Sequence, residues 1–472
     1  MHTAEVRFVS PVGVLGVGFP RRSFAAAMAT DPHVIAVDAG SADWGPYYLG
    51  SGQPWAGYHQ TRRDLEILVC AAVQARIPLL VGTAGMSGSD AAVDWTCGIV
   101  REIAAAHDLR FMLAAIYAEQ RPEWILAKLR GDELDALDGA PALTEGTIER
   151  SSTVVAMMGP EPFQEAVDRG ADIVIAGRAS DAAVHAAMPL ALGVPPEVAW
   201  HMGKIVECGS AIAPDTGECV VGTITQDSFT VTSARETGAV TESSVAVHML
   251  YENPSPHVLR EPPGILRTDD ARYEDVGDGS VRVGGATFEP QPYSVRLEGV
   301  ALDGYRSIAI VGVRDPVIVD QIELFTERVT DLVQMSAKGR YGLEPHEYTL
   351  SFRRYGYDGV LGALEPMVRE RNHPGAGESG RTCYEIGLVA EAVAPTQELA
   401  TELLNGALPY IMHGVQVPGS CHGANVAFPY APTVLPTGPV YNWTHWHAAR
   451  IDDPLEPFRI ELSTVGAVEA HA

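Results

Sequence analysis

Residues 77–118 read IPLLVGTAGMSGSDAAVDWTCGIVREIAAAHDLRFMLAAIYA, and their pattern decides the fold class. An apolar run at 78–85 gives way to a loop of Gly, Ser and Asp. Val93, Cys97, Val100 and Ala104 then recur at helical spacing, and a second apolar run follows at 111–118. Strand, loop, helix, strand is the unit of a parallel sheet covered by helices. The rhythm extends outward: VIAVDAG (34–40), TVVAMMG (153–159) and ADIVIAGR (171–178) read as further strands, and RRDLEILVCAAVQARI (62–77) as a helix. Residues 1–215 are therefore expected to form a parallel α/β domain, doubly wound or barrel-like, since both architectures show this alternation.

From about residue 215 the rhythm changes. TITQDSFTV, SVRVGGATF and PYSVRLEGVALDGYRSIAIVGV read as strands separated by Gly, Asp and Pro turns, close to antiparallel structure. A helix is expected near 316–337, strands near 347–353 and 383–393, and a helix near 396–412. That order predicts a second, α+β domain over 216–472. The Pro/Gly segments at 252–264 and 372–381 read as long loops, and no internal repeat or low-complexity tract interrupts the chain.

The 472 residues are 46% apolar and 20% charged, which places the chain among packed globular proteins. Lysine and arginine number 33 against 60 acidic residues, a formal charge of −27. So acidic a surface repels nucleic-acid phosphates and anionic membranes, so neither is an expected partner. A small anionic substrate would have to be held by local arginines and helix N-termini against the global field. The six cysteines form no C-x-x-C pair, and the N-terminal segment lacks the pattern of a signal peptide. No run approaches the length of a membrane span. Together these features lead to the expectation of a cytoplasmic protein with reduced thiols.

In open α/β sheets ligands bind beyond the carboxyl ends of the strands, so the loops there are the first candidates for chemistry. After 34–40 come Asp38, Ser41, Asp43, Tyr47 and Tyr48; the same residues would serve equally as turn and cap formers. After 78–85 the segment Gly82-Thr83-Ala84-Gly85-Met86-Ser87-Gly88-Ser89-Asp90 could aim backbone N–H groups at an anion, or simply form a tight turn with Ser89 as N-cap. It carries neither the lysine of a P-loop nor the G-x-G-x-x-G order, so neither ATP nor NAD is indicated. After 171–178 come Arg178, Ser180 and Asp181: the arginine could grip a substrate carboxylate and Asp181 could act as base, or the two could form a buried structural pair. Arg353, Arg354 and Arg381 are further cations. Among His413, His422, His445 and His447, the last two would share one face of a strand and could begin a divalent metal site, the only cofactor the residues suggest.

The chain resembles the acyclic terpene utilisation AtuA family from about residue 10 onward. The resemblance rests on VIAVDAGSADWGPYYLG, IPLLVGTAGMSG, MMGPEPFQEAVDRGADIVIAGRASDAA, HMGKIVECGS, RETGAVTESSVAVHMLYENP, LVAEAVAPTQELA and ANVAFPYAP followed by GPVYNWTHWHAARIDDPLEPFRI. The G-R-x-[ST]-D block falls on Gly177, Arg178, Ser180 and Asp181, and the E-C-G block on Glu207, Cys208 and Gly209. The histidine before the DDP motif is His447, and the asparagine of the N-x-A-F-P block is Asn425. The family often carries an added ferredoxin-like domain, whereas this sequence stops soon after DDPLEPFRI. The resemblance thus implies the subgroup with a separate small partner of about a hundred residues, the size of one small domain.

Three functions follow as expectations. The first is a lyase or hydratase acting on a small hydroxy- or amino-di- or tricarboxylate, with Arg178 on a carboxylate, Asp38, Asp43 or Asp181 abstracting the α proton, the 82–88 loop steadying the enolate, and His447 or Glu207 protonating the leaving group. The second is a thioester enzyme of branched-chain or terpenoid degradation with Cys208 as nucleophile. The third is a ligand-binding or scaffold subunit completed by its small partner. A homo-oligomer is expected in each case.

Overall fold

The structure, a computed structural model, describes residues 5–213, 217–234, 240–250, 253, 255–372, 383–421 and 426–466. It is an α/β protein divided into two compact units, one built from 1–301 with 443–472 and the other from 302–442.

The first unit is organised by an open mixed sheet. Its centre is five parallel strands in the spatial order Val6–Ser10, Val34–Asp38, Leu79–Gly82, Ile173–Ala176, Phe111–Tyr117. Val34–Asp38, Leu79–Gly82 and Ile173–Ala176 are buried at every position, as their unbroken apolar runs require of strands covered on both faces. The helices Tyr58–Ala75 and Asp90–His107 pack one face through Leu65, Leu68, Val69, Val93, Cys97 and Val100. Ser89 caps the second helix by accepting from the Ala92 N–H at 3.3 Å, as its sequence position predicts.

Two expectations change. Thr153–Met157 is a strand, but it pairs antiparallel with residues 296–300 instead of joining the parallel sheet; the fifth parallel strand is Val6–Ser10. A boundary at 215 also fails, because the hairpin Val220–Ile224 and Ser228–Ser233 hydrogen bonds antiparallel onto Val6–Ser10 and extends the same sheet to Ser280–Gly284 and Arg272–Asp275. At the other edge Arg459–Val465 pairs antiparallel with Phe111–Tyr117.

The second unit has its own core. Thr349–Tyr355 pairs with Ile386–Ala394, which pairs with residues 305–313, and the helices Ile322–Tyr341 and Gln397–Pro409 cover one face through Phe325, Val329, Leu403 and Leu404. The antiparallel order and both helices agree with the sequence reading. No helix among the described residues is long and apolar enough to cross a membrane, and none of the six cysteines is disulfide-bonded.

The loops at the carboxyl edge of the parallel strands touch backbone to backbone. A Cβ at Gly40 would lie 2.1 Å from the Met86 Cα, whereas one at Gly98, inside the helix Asp90–His107, would meet nothing within 4 Å. Gly40→Ala should therefore cost at least roughly 2 kcal/mol. Gly98→Ala should stabilise by about 0.5–1 kcal/mol. Urea midpoints of the two variants check both signs at once.

Candidate functional site

Three strands adjacent in the sheet, Val34–Asp38, Leu79–Gly82 and Ile173–Ala176, end side by side, with Asp38 in register with Gly82 and Val81 with Ile175. Their next residues therefore meet. Arg178 is buried there, 4% exposed, and each of its three guanidinium nitrogens donates to a protein oxygen. Its Nε donates to Glu298 Oε2 at 2.8 Å and its NH2 to Glu298 Oε1 at 3.3 Å. NH1 donates to Asp181 Oδ1 at 3.1 Å, to Thr83 Oγ1 at 3.3 Å and to the Ala179 carbonyl. The sequence-level role of gripping a substrate carboxylate is thus replaced by a structural one: Arg178 ties three segments together. Burial works against its charge, but Glu298 and Asp181 outweigh this and its pKa lies above the usual arginine value.

The 82–90 loop differs from an anion cradle in the same way. The N–H groups of Thr83 and Ala84 donate to Gly177 and Ala176 at 2.9 Å each, and those of Met86 and Gly88 to Thr83 and Ala84. Asp90 N, at the start of its helix, donates to the Glu119 carboxylate at 2.9 Å, so a protein carboxylate already occupies that helix end. Thr83 and Met86 adopt left-handed conformations at φ 54° and 91°, a strain held by this bonding. Gly82 packs so close to Val184 that its Cβ would lie 2.3 Å from Cγ2; Gly85 carries φ 67°; Ser87 is buried with its hydroxyl 3.4 Å from that of Ser89.

Around Arg178 acids outnumber bases. Asp38 is buried, and its carboxyl is held well above the usual carboxylate range by burial first and then by Asp181, against the opposing pull of the Gly40 N–H and Arg178. Burial also raises Asp181, more than Arg178 and Lys204 lower it. The helix Pro196–Val206 is buried along one continuous run, and it carries Lys204, whose ammonium donates to Glu207 Oε1 one turn on. Burial pushes Glu207 up to about 8 despite Lys204. For Lys204 itself burial lowers the pKa, but Glu207 and Asp181 reverse the sign. Ser180 donates to Glu261 Oε2 at 2.7 Å, and burial raises Glu261 to about 7. Five carboxylates, Asp38, Asp181, Glu207, Glu261 and Glu298, thus share three cations, Arg178, Lys204 and Arg296.

Behind them His185 is neutral, its pKa pushed down to about 4 by burial, with Nδ1 3.2 Å from the Asp181 carbonyl and Nε2 3.3 Å from Ser10 Oγ. Glu207, Cys208 and His248 bring one ligand atom each to within 4.8 Å of one another.

The remaining candidates lie elsewhere. Ser41 is half-buried before the short turn Ala42–Trp44, and Tyr47 is exposed, edge-on to Tyr48. Arg353 is exposed on the second unit's strand Thr349–Tyr355. The side chain of Asp43, and the whole of Arg381, His422 and Asn425, lie outside the described residues. His445 and His447 share a buried face of the strand Val434–Arg450, as the spacing predicts, yet no group of three metal-ligating atoms among the described residues contains them. The His445 ring lies against Gly299, where a Cβ would sit 2.5 Å from Nδ1, while Glu298, the preceding strand residue, turns to the opposite face and Arg178. His447 Nδ1 accepts the Trp446 N–H at 3.0 Å. A metal site begun by this pair is therefore replaced by the Glu207, Cys208, His248 grouping as the candidate.

Sequence reasoning missed Lys204, Glu261, Glu298, His185 and His248. One signal was present: in WHMGKIVECG a lone lysine and a glutamate three residues on interrupt an otherwise apolar helix, a pattern that requires the pair to be buried together. Glu298 offered none, because a charge in an alternating strand reads as solvent-facing.

Arg178→Met should cost about 3–5 kcal/mol by leaving Glu298 buried without its partner. The double variant Arg178→Met/Glu298→Gln should recover part of that loss in urea denaturation; equal losses would show that Glu298 does not depend on this arginine. A second expectation concerns Glu261, which Ser180, Lys204, Arg296 and Asp181 face. Its ordinary value is 4.5 and its folded value about 7, so between those pH values the native state retains a proton that the unfolded chain has released. Its contribution therefore falls as pH rises through that window, by up to about 1.4 kcal/mol per pH unit, and levels off above it. Glu261→Gln should reduce the loss of stability between pH 5 and 8 relative to wild type.

The sequence model of one family, described as acyclic terpene utilisation family protein AtuA, matches residues 48–437. The match includes the segments that carry Arg178, Asp181, Glu207 and His248. No curated protein and no solved structure matches the chain significantly. A match over most of the 472 residues decides membership: the chain belongs to the acyclic terpene utilisation AtuA family.

Proposed function

We propose that the chain is a lyase or hydratase acting on a small hydroxy- or amino-di- or tricarboxylate, with the reaction at the carboxyl edge of the parallel sheet. The observation that carries this reading is the pair Asp38 and Asp181: a buried and a partly exposed carboxyl group at the ends of neighbouring segments, with Asp181 raising the proton affinity of Asp38 and Arg178 hydrogen bonded to Asp181 alone. Such a pair divides naturally into an acid and a base. Asp181, hydrogen bonded by Arg178 at 3.1 Å, is the better base; Asp38, without that bond, retains a proton more readily.

In the elimination direction Asp181 takes the proton α to the substrate carboxylate, the C–H electrons form the new double bond, and the hydroxyl or amine leaves with the proton of Asp38 as water or ammonia. Addition is the reverse. Arg178 is a positioning residue in this scheme, not a substrate ligand, because it is buried and each of its guanidinium nitrogens already donates to the protein. The separate small partner implied by the resemblance, and the expected homo-oligomer, form part of the proposal. So does location in the cytoplasm.

A second reading gains one observation. Cys208, which its immediate sequence leaves without a cation, lies within electrostatic reach of Lys204, as a thioester nucleophile would require.

The purified chain, alone and with its small partner, should convert one member of a panel of hydroxy- and amino-dicarboxylates to a product absorbing in the ultraviolet as a conjugated acid. Asp38→Asn and Asp181→Asn should each lower kcat by about 10²–10⁴, with melting temperatures unchanged or raised. Unchanged turnover in both would refute the assignment. Turnover of a thioester that is abolished by Cys208→Ala would instead support the second reading.

A further inference from the structure

We propose that Glu207, Cys208 and His248 bind a divalent transition metal ion of the zinc class. The three donor atoms lie within 4.8 Å of one another, and they come from segments distant in sequence. Glu207 and Cys208 follow the helix Pro196–Val206, and His248 is the last residue of the helix Glu242–His248, which packs on the turn Gly209–Ile212. Ligands of a tetrahedral zinc stand roughly 3.3–3.8 Å apart, given bonds of about 2.0–2.3 Å, so the group needs to contract by only about 1 Å.

The backbone fixes the donors. Gly209 turns through the left-handed region at φ 56°, and a Cβ at Gly13 would lie 2.5 Å from the Cys208 carbonyl oxygen, so the chain bearing both donors is clamped against the 12–13 segment. Glu207 and His248 are buried.

The donor chemistry selects the ion. A thiolate, an imidazole and a carboxylate suit zinc and its neighbours, whereas magnesium and calcium prefer oxygen alone. Asp181 and Glu261 lie within electrostatic reach of Glu207, and Lys204 within reach of all three donors. Lys204 holds Glu207 Oε1, and a carboxylate has a second oxygen to offer a metal. Binding displaces the Cys208 thiol proton to solvent and forms the metal–sulfur bond. Three protein ligands leave a fourth position open, the pattern of catalytic rather than structural zinc sites. In the proposed lyase that position would take the substrate carboxylate or its leaving hydroxyl, the anion-binding role that Arg178 is not available to fill. The inference rests on the lyase reading for the ion's task but not for its binding.

The test measures metal on the full chain without substrate. Protein stripped with chelator, reloaded with zinc and passed through a desalting column should retain one zinc per chain by elemental analysis. The cobalt-loaded protein should show the thiolate-to-cobalt charge-transfer band and the visible bands of a tetrahedral site. Cys208→Ser should abolish the charge-transfer band, and His248→Gln should lower zinc affinity at least tenfold, with Cys421→Ser as the surface control that changes neither. Wild-type protein that retains no zinc overturns the proposal without recourse to any variant. So does a charge-transfer band that survives Cys208→Ser. One retained zinc without turnover of any carboxylate would uphold the metal site and count against the lyase reading, whereas turnover insensitive to chelator by a zinc-free chain would do the reverse.

Discussion

The ionic knot of Arg178 with Glu298, Asp181 and Thr83 is the constraint on which the rest of the site depends. One guanidinium reaches a carboxylate on the strand Ser294–Val313, the first turn of the helix Asp181–Ala191 and the loop that follows Leu79–Gly82. These segments are distant in sequence, and the strand of Glu298 belongs to a different sheet from Leu79–Gly82. A buried ion pair of this kind contributes less to stability than apolar side chains of the same volume would, because both charges have left water. What it confers is geometry: the fork accepts few arrangements of its partners, so the position of Asp181 is set by a group outside the proposed chemistry.

The same knot explains how so many carboxylates are tolerated in one place. With Glu298 and part of Asp181 neutralised, the remaining charge falls on Asp38, Glu207 and Glu261, and burial answers it by holding protons on those groups. A protein selected for stability alone would replace them. Their presence beside strained, non-glycine left-handed residues at Thr83 and Met86 is the combination expected where structure serves a reaction.

Much of the fold was legible because fully buried parallel strands leave an unbroken apolar signature, and 34–38, 79–82, 111–117 and 173–176 all carry it. The signature says nothing about partners. Thr153–Met157 carries it equally, yet bonds antiparallel to residues 296–300, while Val6–Ser10, short and flanked by Pro and Gly, was not recognised at all. The domain boundary was misplaced for a related reason: the 220–233 hairpin has an antiparallel pattern, and no local pattern reveals that its first strand attaches to Val6–Ser10. In the site, Asp38, Arg178 and Asp181 were legible from their position after strands. Arg178 was read with two possible partners, substrate or protein, and only the distant Glu298 decides between them. Glu261 and His248 belong to segments whose approach is long-range, and a residue type alone does not encode a neighbour.

The strand order has a consequence for how the chain is made. Ile173–Ala176 lies between Leu79–Gly82 and Phe111–Tyr117, and among the described residues the outer side of Phe111–Tyr117 is covered by Arg459–Val465. During synthesis Phe111–Tyr117 therefore emerges long before either neighbour, and its outer edge stays open until nearly the whole chain has left the ribosome. An uncovered apolar edge strand is a template for intermolecular pairing. Until then that edge is a place where one nascent chain can pair with another.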